Sequence, residues 1–324
     1  MDDLRSLREL RAVVPEPGQE WLVPERRRLL RRMRGRRRGL GRALLLAGVL
    51  GTATAVAVVV ARPQPPITTP VGPSQAVRLD PSVVLARAAD TVGRREGAGE
   101  VPRPTQWQYT KTLDKQPNRD ETQTFERWMR YDGKQTAGFD EAGKPVVRDV
   151  PPDPGDDDLS PQQYDQKLRA LPTDPKRLLA KVTGDRHWID WPVEEGVPKV
   201  VEPDASRAYR VITLYLSRYG VMPPKLEAAM FRALALIPGI RIEQGIPDAA
   251  GRRGLGVWLD NGIDSPFRDY DILDPETYRY LGRHTVWLRD EYSQSGGDLM
   301  AAKGSVWTTA LLTSTIVDRP GERG

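Results

Sequence analysis

The chain has 324 residues, with 49 Lys and Arg against 44 Asp and Glu, 29 Gly, 29 Pro, two His and no Cys. Without cysteine there is no disulfide, thiolate zinc site or cysteine nucleophile, and His187 and His284 leave imidazole-rich metal sites and Ser-His-Asp schemes few candidates. The net charge of +5 and pI near 9.4 suggest nucleic acid until the charges are divided by region: residues 1–42 hold 13 Arg and six acids, a balance of +7, and the rest of the chain stands at −2.

Residues 2–14 place Leu4, Leu7, Leu10 and Val14 at helical spacing, with Asp2 and Asp3 at the positive end of the helix. Pro15, Pro17 and Gly18 break it, and a second short helix is expected from Pro24 through Leu29, Leu30 and Met33. Residues 43–61, ALLLAGVLGTATAVAVVVA, carry no charge, and as a helix they extend roughly 28 Å at 1.5 Å per residue, the thickness of a hydrocarbon core. Ten arginines stand between Arg26 and Arg42, whereas only Arg62 and Arg78 follow in the next twenty or so residues. The positive-inside rule therefore reads residues 1–38 as a cytoplasmic leader and 39–61 as a single transmembrane helix. A signal peptide has a shorter leader and a shorter apolar region, and Val59-Val60-Ala61 is a poor cleavage site. The arginine run beside the span fits anionic lipid and topology better than nucleic acid. Ala43, Ala47, Gly51 and Ala55 recur every fourth residue, the spacing of a transmembrane packing seam and so of a homodimer; Ala and Gly are also simply common in such helices.

Five prolines in residues 62–75 predict an extended stalk, assigned here to 62–79. Asp80 before Pro81 reads as an N-cap, opening a helix with Val84, Ala88, Ala89 and Val92 on one face and ending at the glycines of 97–99. From Thr105 the period changes to two. Trp107, Tyr109 and Lys111 form one face of a strand, and Phe125, Met129 and Tyr131 are read as the apolar phase of the next. KQTAGF and PVVRDV continue a meander, followed by the acidic loop 151–158. Helices are expected over 160–183, with Ser160 and Asp174 before prolines, then a loop at RHWIDWPVEEGVP, a helix carrying Ile212, Tyr215, Leu216 and Tyr219, and another carrying Leu226, Met230, Leu234 and Ile237. The remainder reads as strands IRIEQGI, GLGVWLD, FRDYDIL, HTVWLRDEYS and SVWTTALLTSTIV. The expected fold class is α+β, an extracytoplasmic domain over 80–318 with a curved, half-barrel-like antiparallel sheet packed on helices, and a tail at 319–324.

ALPTDPKRLL, LEAAMFRALALIPGI, DAAGRRGLGV, YDILDPETYRYLGRHTV, the closing STIVDRPGERG and the leader LRELRAVVPEPG together resemble an uncharacterised actinobacterial family of single-pass membrane proteins often encoded beside extracytoplasmic-function sigma factors. The element order is similar to the lipoprotein-carrier and periplasmic sigma-regulator superfamily. The resemblance implies an anti-sigma-like or envelope-sensing role. The leader has no His or Cys, which excludes the zinc form of such a regulator, and Leu4, Leu7, Leu10 and Trp21 are the expected contacts with a sigma factor. The alternative is an envelope carrier or binding module holding a lipid or lipoprotein in an apolar groove.

The candidate chemical constellations are sparse. Asp153, Asp156, Asp157 and Asp158 lack the ligand order of a calcium loop, and Gly251, Gly254 and Gly256 lack dinucleotide-binding spacing and read as hairpin glycines. His187 beside Asp185 and Asp190 has no nucleophile motif nearby, and Asp260, Asp264, Asp269 and Asp271 have the density of polar turns. Trp107, Trp128, Trp258, Trp287 and Trp307 line an apolar groove on one reading and belong to an ordinary core on the other. No catalytic residue, cofactor, metal site or direct nucleic-acid contact is expected, and the chain is read as a non-enzyme.

Overall fold

Three helices begin where the sequence places an oxygen acceptor before a proline, because the acceptor caps a free amide and proline tolerates the first turn. In the structure, a computed structural model, Asp80 accepts from the Ser82 amide at 2.8 Å at the head of α1, Pro81–Gly93. Ser160 and Gln163 form a reciprocal capping box opening α2, Pro161–Arg169. Asp174 accepts from the Arg177 amide at 2.8 Å opening α3, Pro175–Gly184. A single turn, α4 at Arg186–Ile189, lies where a loop was expected. Asp185 accepts from the His187 amide at 3.0 Å, and Trp188 is buried with its ring 6.1 Å from those of both Tyr164 and Tyr215. α5, Asp204–Arg218, and α6, Pro224–Leu234, complete the helices among the described residues. Leu226, Met230, Leu234 and Ile237 are all buried as their spacing predicts.

The structure describes residues 77–324 except 97–99, 118, 120, 141–142, 152–158, 190–200, 219–221 and 293–298. Gln75–Gly324 is one compact unit. The leader residues Leu4, Leu7, Leu10 and Trp21, the seam Ala43, Ala47, Gly51 and Ala55, and the acidic loop lie outside the described residues. Among the described residues no helix is long and apolar enough to cross a membrane.

The fold is α+β, with a large, open antiparallel sheet. Its strands are β1 Val77–Leu79, β2 Trp107–Lys115, β3 Thr122–Arg130, β4 Gln135–Phe139, β5 Pro145–Asp149, β6 Ile240–Pro247, β7 Arg253–Leu259, β8 Phe267–Leu273, β9 Tyr280–Trp287 and β12 Val306–Val317. They run in the order β1-β6-β7-β8-β9-β12-β2-β3-β4-β5, and β10 Glu291–Tyr292 pairs with β11 Leu299–Ala301 in a separate ribbon. β1 lies within the segment read as stalk: Val77 and Leu79 pair with Gln244 and Ile242, so the sheet recruits the chain before the first helix begins.

Alternation gives the sheet two faces. Ile240, Ile242, Leu255, Val257 and Leu273 join Leu85, Val92, Ile212, Met230 and Phe231 in the main core, which defines the helix face. This core draws on β6, β7 and β8 and takes nothing from β9, β12, β2 or β3. The opposite, far face is closed by the chain itself. Gly245, with φ of 90°, occupies a bulge in β6, and the β6–β7 hairpin beyond it bends back over β9 and β12. The Arg252 guanidinium donates to Leu281 O and Leu311 O, both at 3.0 Å, and to Asp248 Oδ2 at 2.7 Å. His284 Nδ1–H donates to Pro247 O at 2.9 Å, and burial pushes the imidazole pKa down, favouring its neutral form. Beneath the hairpin Ile246, Tyr270, Ile272 and Leu281 form a second core. Gly256 is there for space: a Cβ would lie 2.6 Å from Ile246 Cγ1 and 2.8 Å from Tyr270 Cδ1. Of the three glycines read as hairpin residues, Gly251 occupies the turn with φ of 79°, whereas Gly254 and Gly256 are interior strand positions.

Farther along the same face Trp107, Tyr109, Trp128, Ala137 and Val317 form a third cluster. Residues after β12 pack back over it. Trp128 Nε1–H donates to Glu322 O at 2.7 Å, and Arg323 reaches Glu126 Oε2 at 2.9 Å. The apolar phase of β3 is therefore carried by fully buried Trp128, while Phe125, expected inside, is 51% exposed on the other face.

Asp248 has no exposed side-chain area and Arg252 is its ion-pair partner, so removing the guanidinium leaves a buried charge unpaired. Arg252→Met is expected to lower unfolding free energy by about 3 kcal/mol in urea denaturation. A loss below about 0.5 kcal/mol would mean that the hairpin is held by packing alone.

Candidate functional site

Where the helical core stops, the helix face of the sheet turns polar. On β8, Asp269 and Asp271 point to the same side as Phe267 and Leu273, because residues two apart share a face. Their cross-strand neighbours on β9 are Thr285 and Arg283. The next strand sets Trp307 opposite Thr285, and Thr309 of that strand lies opposite Asp114 of β2. Trp287, Trp307, Asp269, Asp271, Arg283 and Asp114 thus occupy one band across β8, β9, β12 and β2.

Hydrogen bonds fix these groups. Tyr209 on α5 donates its hydroxyl to Asp271 Oδ2 at 2.9 Å and lies 2.8 Å from Val257 O. Arg283 Nη2 is 3.5 Å from Asp271 Oδ1, and its backbone amide donates to Thr309 Oγ1 at 3.1 Å. Thr285 donates its hydroxyl to Asp269. Trp307 Nε1–H donates to Asp114 Oδ2 at 3.1 Å, and Trp287 Nε1–H donates to Glu291. Asp271 and Thr285 are buried, whereas Asp269, Asp114, Trp287 and Trp307 each keep part of their surface in solvent.

The electrostatics are lopsided: four carboxylates, Asp114, Asp269, Asp271 and Glu291, share the band with one guanidinium, Arg283. Burial pushes the Asp269 carboxyl above its ordinary range, outweighing the attraction of Arg283 and the Thr285 hydrogen bond, and the charge of Asp271 adds to the rise. Burial likewise raises the Tyr209 phenol well above its usual value, with Asp271 reinforcing the effect. Two half-buried indoles beside excess negative charge suit a ligand that is cationic or rich in hydroxyls, laid on the aromatic planes. Among the described residues no group of three or more acidic or imidazole side chains is arranged to hold a metal ion.

The tryptophans singled out from the sequence do not share one wall. Register puts Trp287 and Trp307 on the helix face, whereas Trp258 lies on the far face against Tyr270 and Arg268, and Trp107 and Trp128 lie in the third cluster. A single groove lined by all five is therefore corrected to a two-residue aromatic wall, because strand alternation separates the rest. Asp260 and Asp264 lie in the β7–β8 loop, but Asp269 and Asp271 belong to β8 and not to a turn. Their signal was in FRDYDIL, where period two sets both acids in line with Phe267 and Leu273. Arg283 and Tyr209 had no comparable signal. His187 packs edge-on against Trp188 at 4.5 Å, and His284 holds the hairpin. Compared with family models, curated proteins and solved structures, the chain matches none.

A carboxyl whose folded-state pKa is raised binds its proton more tightly when folded, so its contribution to stability is lost as pH rises through that value. Asp269→Asn is expected to raise the thermal midpoint at pH 7, with the gain shrinking toward pH of about 4, where the unfolded carboxyl is itself protonated. A lower midpoint at pH 7 would show that Arg283 stabilises the charged form more than burial opposes it.

Proposed function

We propose that the chain is a membrane-anchored regulatory or envelope-sensing protein, built from a cytoplasmic leader, a single transmembrane helix at 39–61 and an extracytoplasmic domain that binds its signal at the aromatic and acidic band. The observation that carries this reading is the sheet's continuation past its helical core into half-buried Trp287 and Trp307 beside Asp114, Asp269 and Glu291. A fold seeking only stability covers such a band or fills it with apolar residues. The charge asymmetry about residues 43–61 supports the anchor and its direction. The family resemblance supports a sigma factor as the cytoplasmic partner, met by Leu4, Leu7, Leu10 and Trp21. A seam at Ala43, Ala47, Gly51 and Ala55 would pair two copies within the membrane. The chemistry is that of a binding module, and no reaction is assigned to it.

The carrier alternative, in which a lipid or lipoprotein lies in an apolar groove, draws less support. Its aromatic wall is divided between the two faces of the sheet, and the band carries charge where an acyl chain needs hydrocarbon.

Because the chain has no cysteine, a single introduced thiol reports its own location. In intact cells a membrane-impermeant maleimide is expected to label Lys303→Cys, whereas Ser6→Cys should react only after lysis. The reverse pattern would invert the topology. The full chain is expected to retain the sigma factor encoded nearest its gene, and Leu7→Asp or Leu10→Asp to abolish that retention. Equal retention by both variants, or none by the parent, would remove the regulatory reading and leave the domain as a tethered binding module.

A further inference from the structure

α1 and α6 pack antiparallel with small residues between them, Gly93 facing Ala228 at ordinary van der Waals distance. The low floor made by Ala89, Gly93 and Ala228 leaves a cleft of about 550 Å³, walled by Asp90, Arg94, Thr173, Lys225 and Arg232. Three cations therefore face one carboxylate, in a compact unit whose own residues hold more acids than bases. Arg232 Nη2 is 3.2 Å from Asp90 Oδ1, and Arg94 Nε–H donates only to the backbone oxygen of Asp90, at 3.1 Å. Neither Arg94 nor Lys225 makes an ion pair among the described residues.

Ordinary helix electrostatics accounts for Arg94, which caps the negative end of α1. Lys225 has no such account. It stands in the first turn of α6, at the positive end of that helix, where Pro223 supplies no side-chain acceptor. A cation there opposes the helix dipole and is repelled by Arg94 across the cleft, while the acid of the same turn, Glu227, is engaged by Arg95. A local conflict of this kind, in a concavity of ligand size, is what an anion would relieve.

We propose that the cleft between α1 and α6 is a binding site for a phosphate-bearing ligand. The phosphoryl oxygens accept from the free terminal nitrogens of Arg94, from Lys225 Nζ and from the Thr173 hydroxyl, while Arg232 exchanges part of its contact with Asp90 for the ligand. The group is that of a soluble phosphate ester or of a lipid headgroup, and the site does not depend on the sensor reading of the sheet.

The test uses the full chain in a neutral detergent, titrated by phosphorus NMR with pyrophosphate in one arm and with dihexanoyl phosphatidylglycerol in the other. Saturable binding of either probe is expected, weakened roughly tenfold by Lys225→Gln, as for the loss of one charge-assisted hydrogen bond. Arg94→Gln with Arg232→Gln should weaken it further, and Asp90→Asn should tighten it. All four positions are exposed, so an unchanged melting midpoint confirms that each variant folds. Binding of pyrophosphate alone identifies a soluble phosphate as the source, and binding of the phospholipid identifies a headgroup. No saturable binding of either probe, or equal binding by the triple variant Arg94→Gln, Lys225→Gln, Arg232→Gln, would overturn the proposal. Trp287→Ala should leave this binding intact, so a failed cleft and a failed aromatic band are separate results.

Discussion

Arg252 bonds to the backbone oxygens of two strands, β9 and β12, while its charge is matched by the fully buried carboxylate of Asp248, and the docking of the β6–β7 hairpin on the far face rests on that arrangement. An open ten-stranded sheet whose helical core reaches only part of one face must bury its remaining apolar residues with its own chain. The bulge at Gly245 allows the bend, and the missing side chain at Gly256 admits Ile246 and Tyr270 beneath it. His284 adds a neutral imidazole clamp at Pro247. A buried ion pair of this sort contributes less to net stability than to specifying one arrangement, since an unpaired Asp248 would disfavour every geometry in which the hairpin tip closes.

The position of the acidic band follows from the same division of labour. Helices α1, α5 and α6 bury β6, β7 and β8 against apolar side chains, and the helix layer reaches the polar band through the Tyr209 hydroxyl on Asp271. Beyond that line there is no apolar partner in the main core for a strand residue to meet, so polar side chains cost less there. That permits the band without requiring it. What goes further is the placing of Asp269, where burial raises the carboxyl above its ordinary range against the pull of Arg283 and the Thr285 hydrogen bond, and the neighbouring Asp271 adds to the rise.

Local chemistry wrote much of the fold legibly. Asp80, Ser160 and Asp174 before proline marked helix starts within a residue, and the spacing of Leu226, Met230 and Leu234 picked out buried residues of α6, with Ile237 buried just past its end. The failures came where a distant partner decides. Val77–Leu79 reads as the end of a proline-rich stalk, and only pairing with Ile242 and Gln244 makes it a strand. In β3 both phases carry aromatic residues, so periodicity does not tell Phe125 from Trp128; the segment that folds back after β12 covers Trp128 and fixes the choice. The five tryptophans were separable in principle by strand parity, but parity relates residues within one strand. Relating Trp258 to Trp287 requires knowing that β7, β8 and β9 are consecutive and in which register. Arg283 is silent for the same reason, since its role exists only opposite Asp271.

Charge is sorted along this chain more sharply than its small net value suggests. The leader concentrates arginine, the sheet band concentrates carboxylates, and the helix cleft returns to cations within an otherwise acidic unit. Exposed charges interact over about 8 Å at physiological ionic strength, so two such surfaces retain opposite potentials only when structure holds them apart. Here the cleft is built on α1 and α6, while the band is built on β8, β9, β12 and β2. A ligand of either sign therefore meets one surface that attracts it and one that repels it. For the two proposed sites, this sorting makes recognition two separate events instead of one extended polar site, because a single ligand spanning both would need groups of opposite charge.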